Sequence, residues 1–201
     1  MEWLSNGNAL NPEEGRLLIR IARKAISERF AQRGGCEELP EPLPERLTTA
    51  CCGTFVTLSL DDRLRGCIGT LIDTEPLAVS IRKNAINAAF GDPRFPPLTL
   101  PEFERIRIEV SLLSPPEALK YSDADDLLGR LSPGAHGVIL RKGAARATFL
   151  PQVWKQLPQP EEFLSHLCLK AGLPADTWRR EAVEIETYLV RYFEEAPTDR
   201  G

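Results

Sequence analysis

Arg65-Gly66-Cys67-Ile68-Gly69-Thr70 is the stretch of this 201-residue chain best equipped for chemistry. Gly66 and Gly69 around a cysteine let a ligand or another backbone come close, and glycine reaches positive φ without strain. Arg65, two residues away, can depress the thiol pKa and make Cys67 a nucleophile or redox thiol. The opposing reading is packing, since cysteine is among the most buried residue types. Strand geometry separates the two: Arg65 and Cys67 share a face only if the strand stays regular through Gly66. The second candidate is the rigid loop Asp92-Pro93-Arg94-Phe95-Pro96-Pro97. Here Asp92 and Arg94 can clamp a substrate, Arg94 gripping a carboxylate or phosphate with both arms of its fork. Equally, the two can pair with each other and fix the turn while Phe95 plugs into the core.

The remaining polar candidates are weaker. His136 and His166 are the chain's two histidines. His136 stands at a strand start and can serve as a general base if the fold brings it to Cys67; otherwise it is a surface histidine. His166 and Cys168 lie two apart on a helix and do not share a face. Cys51 and Cys52 point to opposite faces of a strand. No four-ligand zinc spacing is present, so no metal site is expected. No P-loop, G-x-G-x-x-G or G-x-S-x-G occurs, which demotes nucleotide hydrolases and serine esterases and implies no cofactor. Residues 134–160 hold four bases, Arg141, Lys142, Arg146 and Lys155, and no acid. With Phe149 and Trp154 interleaved, that hairpin can meet RNA or an acidic partner, or simply be solvated.

These groups need elements to position them. Asn11-Pro12-Glu13-Glu14 reads as a cap, a proline and first-turn acids, followed by apolar residues at helical spacing from Leu17 to Phe30 and a stop at Gly34-Gly35. Residues 36–49, with Pro40, Pro42 and Pro44, read as an extended connector. Period-two alternation from Thr54 to Leu60, a turn at Asp61-Asp62 and a return from Leu64 to Ile68 predict a hairpin that carries Cys67. A helix from Pro76 to Phe90 delivers the Asp92 loop. Ile106, Ile108, Val110 and Leu112 then face one way along a strand, and Arg107, Glu109 and Ser111 the other. Downstream, a helix over Ala124–Leu131 is capped by Ser122 or Asp123, and a hairpin of 138–140 with 147–150 turns around Gly143. A helix over Pro160–Lys170 and a single final strand over Val183–Phe193 complete the chain. The order β-β-α-β then α-β-β-α-β predicts an α+β fold with a largely antiparallel sheet flanked by helices, and admits an internal duplication. One domain over residues 10–194 is expected, with 1–9 and 195–201 as loose tails.

Composition bounds the rest. At 22.4 kDa the chain can bury roughly 70% of its unfolded surface, enough for a core without disulfides. Five cysteines form no disulfide framework, no run suits a membrane span, and Met1 to Asn6 lack signal-peptide character, so a cytoplasmic location is expected. A net charge of −4 argues against a protein devoted to nucleic acid.

Six blocks in order resemble the AMMECR domain family: 64–70, 88–98, 109–114, 137–140, 149–154 and 170–173. They include Leu64-Arg65-Gly66-Cys67-Ile68-Gly69-Thr70, Gly91-Asp92-Pro93-Arg94-Phe95-Pro96-Pro97 and Phe149-Leu150-Pro151-Gln152-Val153-Trp154. Together they cover about Gly53 to Tyr192. The N-terminal helix fits the prokaryotic members, often called protein A of the AmmeMemoRadiSam system. The resemblance implies an α+β domain of two unequal lobes with a cleft, lined by Arg65, Cys67, Thr70, Asn84, Asp92, Arg94 and Thr148. It brings no established activity, but it implies association with a Memo-like protein and a radical SAM protein. Three readings follow. The preferred one is a non-catalytic partner or substrate-presenting subunit for those proteins. The alternative is a small cytosolic enzyme using Cys67, with a small anionic ligand held by Arg65 or Arg94. An RNA-binding module ranks third.

Overall fold

Asn11 caps the first helix as its sequence requires. Its side chain accepts from the Glu14 N–H at 2.8 Å while the Glu14 carboxylate accepts from the Asn11 N–H at 2.8 Å. The computed structural model describes residues 10–30, 42–72 and 74–195; the expected stop at Gly34-Gly35, the connector up to residue 41 and the tails 1–9 and 196–201 lie outside them. Helix α1 (Pro12–Ser27) ends in a single 3₁₀ turn over Glu28–Phe30. The described part of the connector is not wholly extended: Glu45–Thr49 form a short helix, α2, which starts directly after Pro44 and buries Leu47. Proline before the first helical residue suits a helix start, since the donor it lacks would have been unpaired there.

Strands β1 (Gly53–Leu60) and β2 (Arg63–Thr70) form the expected hairpin, and both turn residues, Asp61 and Asp62, take positive φ, at 50° and 61°. Aspartate tolerates that region because its short side chain bonds locally. Helix α3 (Leu77–Phe90) follows, then a one-turn helix α4 (Leu100–Phe103) that the sequence reading did not contain. Strand β3 (Arg107–Leu113) is antiparallel to β1. Val56, Leu58, Ile108, Val110 and Leu112 are fully buried in one cluster with Leu18, Ala22 and Ile26 of α1 and Ile81 and Ala85 of α3. Phe55, Thr57, Arg107 and Glu109 take the opposite face, as the alternation demands.

The second group comprises β4 (Glu117–Ala118), α5 (Ala124–Arg130), β5 (Gly137–Lys142), β6 (Ala145–Phe149), α6 (Pro160–Lys170), α7 (Thr177–Arg180) and β7 (Glu184–Tyr188). Asp123, not Ser122, caps α5, accepting from the Asp126 N–H at 2.9 Å. Gly143 turns the β5–β6 hairpin at φ +57°. Two sheets result, ordered β2-β1-β3-β8 and β4-β7-β5-β6, where β8 is Val190–Glu194. The single strand expected over Val183–Phe193 is therefore two strands in different sheets. Its break is Leu189, whose N–H and C=O are taken by the Ser114 side chain and N–H at 2.9 Å each.

The architecture is α+β, with two antiparallel sheets and two cores. One compact unit runs to Leu113 and resumes at Arg191; the other is Ser114–Val190. In the first unit Phe193 of β8 lies against Gly15, where any Cβ would sit 2.0 Å from its ring. Glu195, expected in a loose tail, is tied down: Arg23 donates to its carboxylate at 2.5 and 2.6 Å, and its N–H donates to the Ile108 carbonyl at 3.0 Å. In the second unit Trp154 stacks on Phe163 at 3.7 Å over the core of Val138, Leu140, Leu164 and Leu167.

Candidate functional site

The regularity that Arg65 and Cys67 needed in order to share a face is absent. Leu58 pairs with Gly66, but Ser59 pairs with Leu64, so Arg65 is the extra residue of a β-bulge. A bulge re-aims its side chain, and Arg65 ends up buried, away from the thiol's own contacts. Its guanidinium donates to both carboxylate oxygens of Glu102, at 2.8 and 3.0 Å, and to the Pro96 carbonyl at 2.9 Å. The Phe95 ring lies 5.7 Å away. Arg65 thus fixes the proline loop to the start of α4. Glu102 in return is held at about 2, chiefly by the Arg65 hydrogen bond.

Cys67 lies one step beyond the bulge, where the ladder is regular again. Thr57 pairs with Cys67 on one side and with Glu109 on the other, so Cys67, Thr57 and Glu109 form a row across three strands on the face away from α3. The Thr57 hydroxyl donates to the Cys67 sulfur at 3.3 Å. The Cys67 N–H donates to Asp92 Oδ2 at 2.9 Å, and its carbonyl accepts from Arg94 Nη2 at 3.1 Å. Asp92 and Arg94 are themselves joined as a fork, Nε to Oδ1 at 2.9 Å and Nη2 to Oδ2 at 2.7 Å. Asp92 Oδ1 also accepts from the Arg94 N–H at 3.1 Å. Of the two sequence readings of this loop, mutual pairing is the one realised, with the pair gripping the Cys67 main chain as well.

Burial divides the roles. Asp92 is only 4% exposed, whereas the Arg94 side chain is 53% exposed. The Arg94 hydrogen bond holds the Asp92 carboxyl well below the usual range. Burial pushes the Cys67 thiol up; the Thr57 hydrogen bond and Arg94 pull it down, and Asp92 and Glu109 push it up again. Desolvation wins, because a half-buried sulfur loses more hydration as an anion than one hydroxyl and one exposed guanidinium return. The thiol is neutral at pH 7. The cation acting on it is that of Arg94 and not that of Arg65.

Neither glycine of the cysteine motif has positive φ. Both serve close approach: a Cβ on Gly66 would sit 2.1 Å from the Ala88 carbonyl oxygen of α3, and one on Gly69 would meet the Thr54 oxygen and the Phe55 ring at 2.2–2.5 Å. Asn84 is buried between α3 and β1, donating to Thr54 Oγ1 at 2.8 Å, which in turn bonds Ser80 Oγ at 2.7 Å. That triad sits on the core side of β1, away from the row of Cys67. Thr70 pairs with Thr54 at the exposed end of β2. Two residues of the site were not among the candidates read from the sequence: Thr57, and Glu109, which opens the 109–114 block but was given no role there. Their signal was present, since alternation already put Glu109 on the polar face of its strand, but only the strand register places it beside Thr57.

The chain matches the AMMECR1 family over residues 19–193. It is 43% identical to Protein MK0488 of Methanopyrus kandleri, over 94% of this chain and 92% of that one, and 41% identical to Protein MJ0810 of Methanocaldococcus jannaschii, over 92% of each. The chain belongs to the AMMECR1 family. Its fold agrees with that of a solved relative, the uncharacterised protein PH0010 from Pyrococcus horikoshii. The two superpose at a TM-score of 0.81 with 37% identity, over 92% and 93% of the chains.

Thr148, the remaining residue that the AMMECR resemblance singled out, lies in the second unit, as do both histidines and the basic hairpin. Thr148 of this AMMECR1-family chain donates to the Val138 carbonyl at 2.9 Å and shares a 3.0 Å hydrogen bond with the Tyr188 hydroxyl. Burial raises Tyr188 to about 12, so the phenol stays neutral and donates to the Phe149 carbonyl at 3.1 Å. Those bonds tie β5, β6 and β7 together. His136 Nδ1 accepts from the Ser132 N–H at 3.2 Å, its carbonyl accepts from Trp154 Nε1 at 2.7 Å, and burial lowers its pKa. His166 is exposed on α6, with Nδ1 at 2.9 Å from the Glu162 carbonyl. In the basic hairpin, Arg141 pairs with Glu186 at 2.8 Å and Lys142 with Glu181. Among the described residues no group of three or more His, Cys, Asp or Glu could hold a metal ion, and no helix is long and apolar enough to cross a membrane.

Proposed function

We propose that this AMMECR1-family protein works in the cytoplasm as a non-catalytic subunit that binds a Memo-like protein and a radical SAM protein, or presents a substrate to them. The observation that carries this reading is the use to which the motif is put. Asp92 and Arg94 bond each other and the Cys67 main chain, and burial keeps the thiol neutral. Nucleophilic catalysis wants the reverse, a thiolate with a base beside it and an orienting group behind the base. Both histidines of the chain, His136 and His166, belong to the second unit, so the unit with Cys67 has no imidazole. The half-exposed Arg94 is the cation that a small anionic group on the partner or the presented substrate would meet. Pairing of Arg141 and Lys142 with acids weakens the RNA reading, which needs those charges for phosphates.

Affinity purification of the tagged chain in mild salt, beside the Memo-like and radical SAM proteins of the same cell, tests the proposal. Retention of either protein, with loss on Arg94→Glu, is the expected result. Failure to retain both overturns it.

A further inference from the structure

The hydrogen bonds at Cys67 carry a second consequence, independent of any partner. Among the described residues, strand β2 is the outer strand of its sheet, with β1 on one side and no strand on the other. In an antiparallel pair, residues alternate between those that bond their neighbour through the main chain and those whose N–H and C=O point away. Cys67 is of the second kind, for its N–H goes to Asp92 and its C=O to Arg94. A carboxylate accepting from the N–H and a guanidinium donating to the C=O supply what a residue of an added strand would supply. We infer that the Asp92–Arg94 pair is an edge cap, a stand-in for a neighbouring strand that keeps β2 from pairing with a second copy of this chain.

The surrounding residues explain why such a cap is needed. Open strand edges recruit other strands, and the usual defences are charge, proline, shortness and bulges. Over Arg63–Thr70 the strand has two glycines, no proline and two charged side chains, of which Arg63 is exposed at the turn end and Arg65, the nearer to Cys67, is turned inward onto Glu102. Leu64 is 46% exposed at one end. The bulge at Arg65 interrupts the edge on one side of Cys67, and the cap closes it at Cys67 itself. Antiparallel pairing centred on Cys67 would be two-fold symmetric, the commonest way for identical chains to meet. The buried position of Asp92 makes the cap durable, since its carboxylate accepts from four donors, the Cys67 N–H, the Arg94 N–H and the Nε and Nη2 of the Arg94 fork.

Sedimentation velocity across a concentration series tests the cap, with Asp92→Ala set against the parent chain. The variant is expected to self-associate at least tenfold more strongly. Hydrogen exchange should show the amides of residues 63–70 more protected at high concentration than at low. An Asp92→Ala protein that folds cooperatively and associates no more than the parent overturns the inference. So does one that associates with no concentration-dependent protection at 63–70. If Asp92→Ala does not fold, Arg94→Met decides by the same two readouts, because it leaves Asp92 in place and uncaps only the carbonyl.

Discussion

Cys67 shows how one side chain is governed by its neighbours' commitments. Thr57 and Arg94 favour its thiolate, but burial outweighs both, so alkylation by iodoacetamide should rise only above the free-cysteine range of roughly pH 8.5. Peptide mass spectrometry against pH measures this; a midpoint below 8 would show an activated thiol and restore the cysteine-enzyme reading. Glu102 gives a pH prediction of definite sign. Its folded pKa, about 2, lies below the ordinary 4.5, so its stabilisation is whole above about pH 4.5 and is lost as pH falls towards 2. Asp92 acts in the same direction, with its loss still further into acid. Urea titrations at pH 7 and pH 3 should therefore show a smaller acid loss in Glu102→Gln than in the parent. Sequence made the residue types at this site legible, and even the pairing of Asp92 with Arg94 as one of two options. It could not reveal that the pair also grips Cys67, because that contact joins a strand to a loop 25 positions away.

Among the elements, the hairpin of β1 and β2 was readable to within a residue or two, because a strict two-residue period and a two-residue turn leave little freedom. The bulge was not readable. Arg-Gly-Cys carries no mark of which residue is extra, and the choice is made by packing: Gly66 must pass against the Ala88 carbonyl of α3. Gly66→Ala should accordingly cost about 1–3 kcal/mol, the usual range for an overpacked core, with the outcome set by how far α3 can retreat. Chemical denaturation checks it; a parent-like midpoint would mean that β2 and α3 are not in contact there. Val183–Phe193 failed for a related reason. Its apolar residues suit strand throughout, and nothing in composition marks Leu189 as the point where the chain leaves one sheet for another.

At the scale of the molecule, the first unit is closed by a strand that arrives after the whole of the second. Strand β8 supplies Phe193 to Gly15, and Glu195 receives the Arg23 fork, which also donates to the carbonyls of Phe103 and Ile106 at 3.3 and 2.9 Å. Deleting residues from Arg191 onward should lower the melting temperature far more than Glu195→Gln, which keeps the strand and one polar partner for Arg23. Calorimetry of the two variants measures the difference; equal losses would assign the stabilisation to the ion pair alone and not to the strand.

That same closing strand sets an order of events at the ribosome. Residues 114–190 contain every strand of their own sheet and can fold as soon as they leave the exit tunnel. The preceding sheet, begun earlier, has β1 exposed on neither side but keeps β3 with an open flank until β8 emerges. At about 5–20 residues per second that delay lasts several seconds. The half-built sheet is then the state most in need of a chaperone, and β8 is the strand that ends the need.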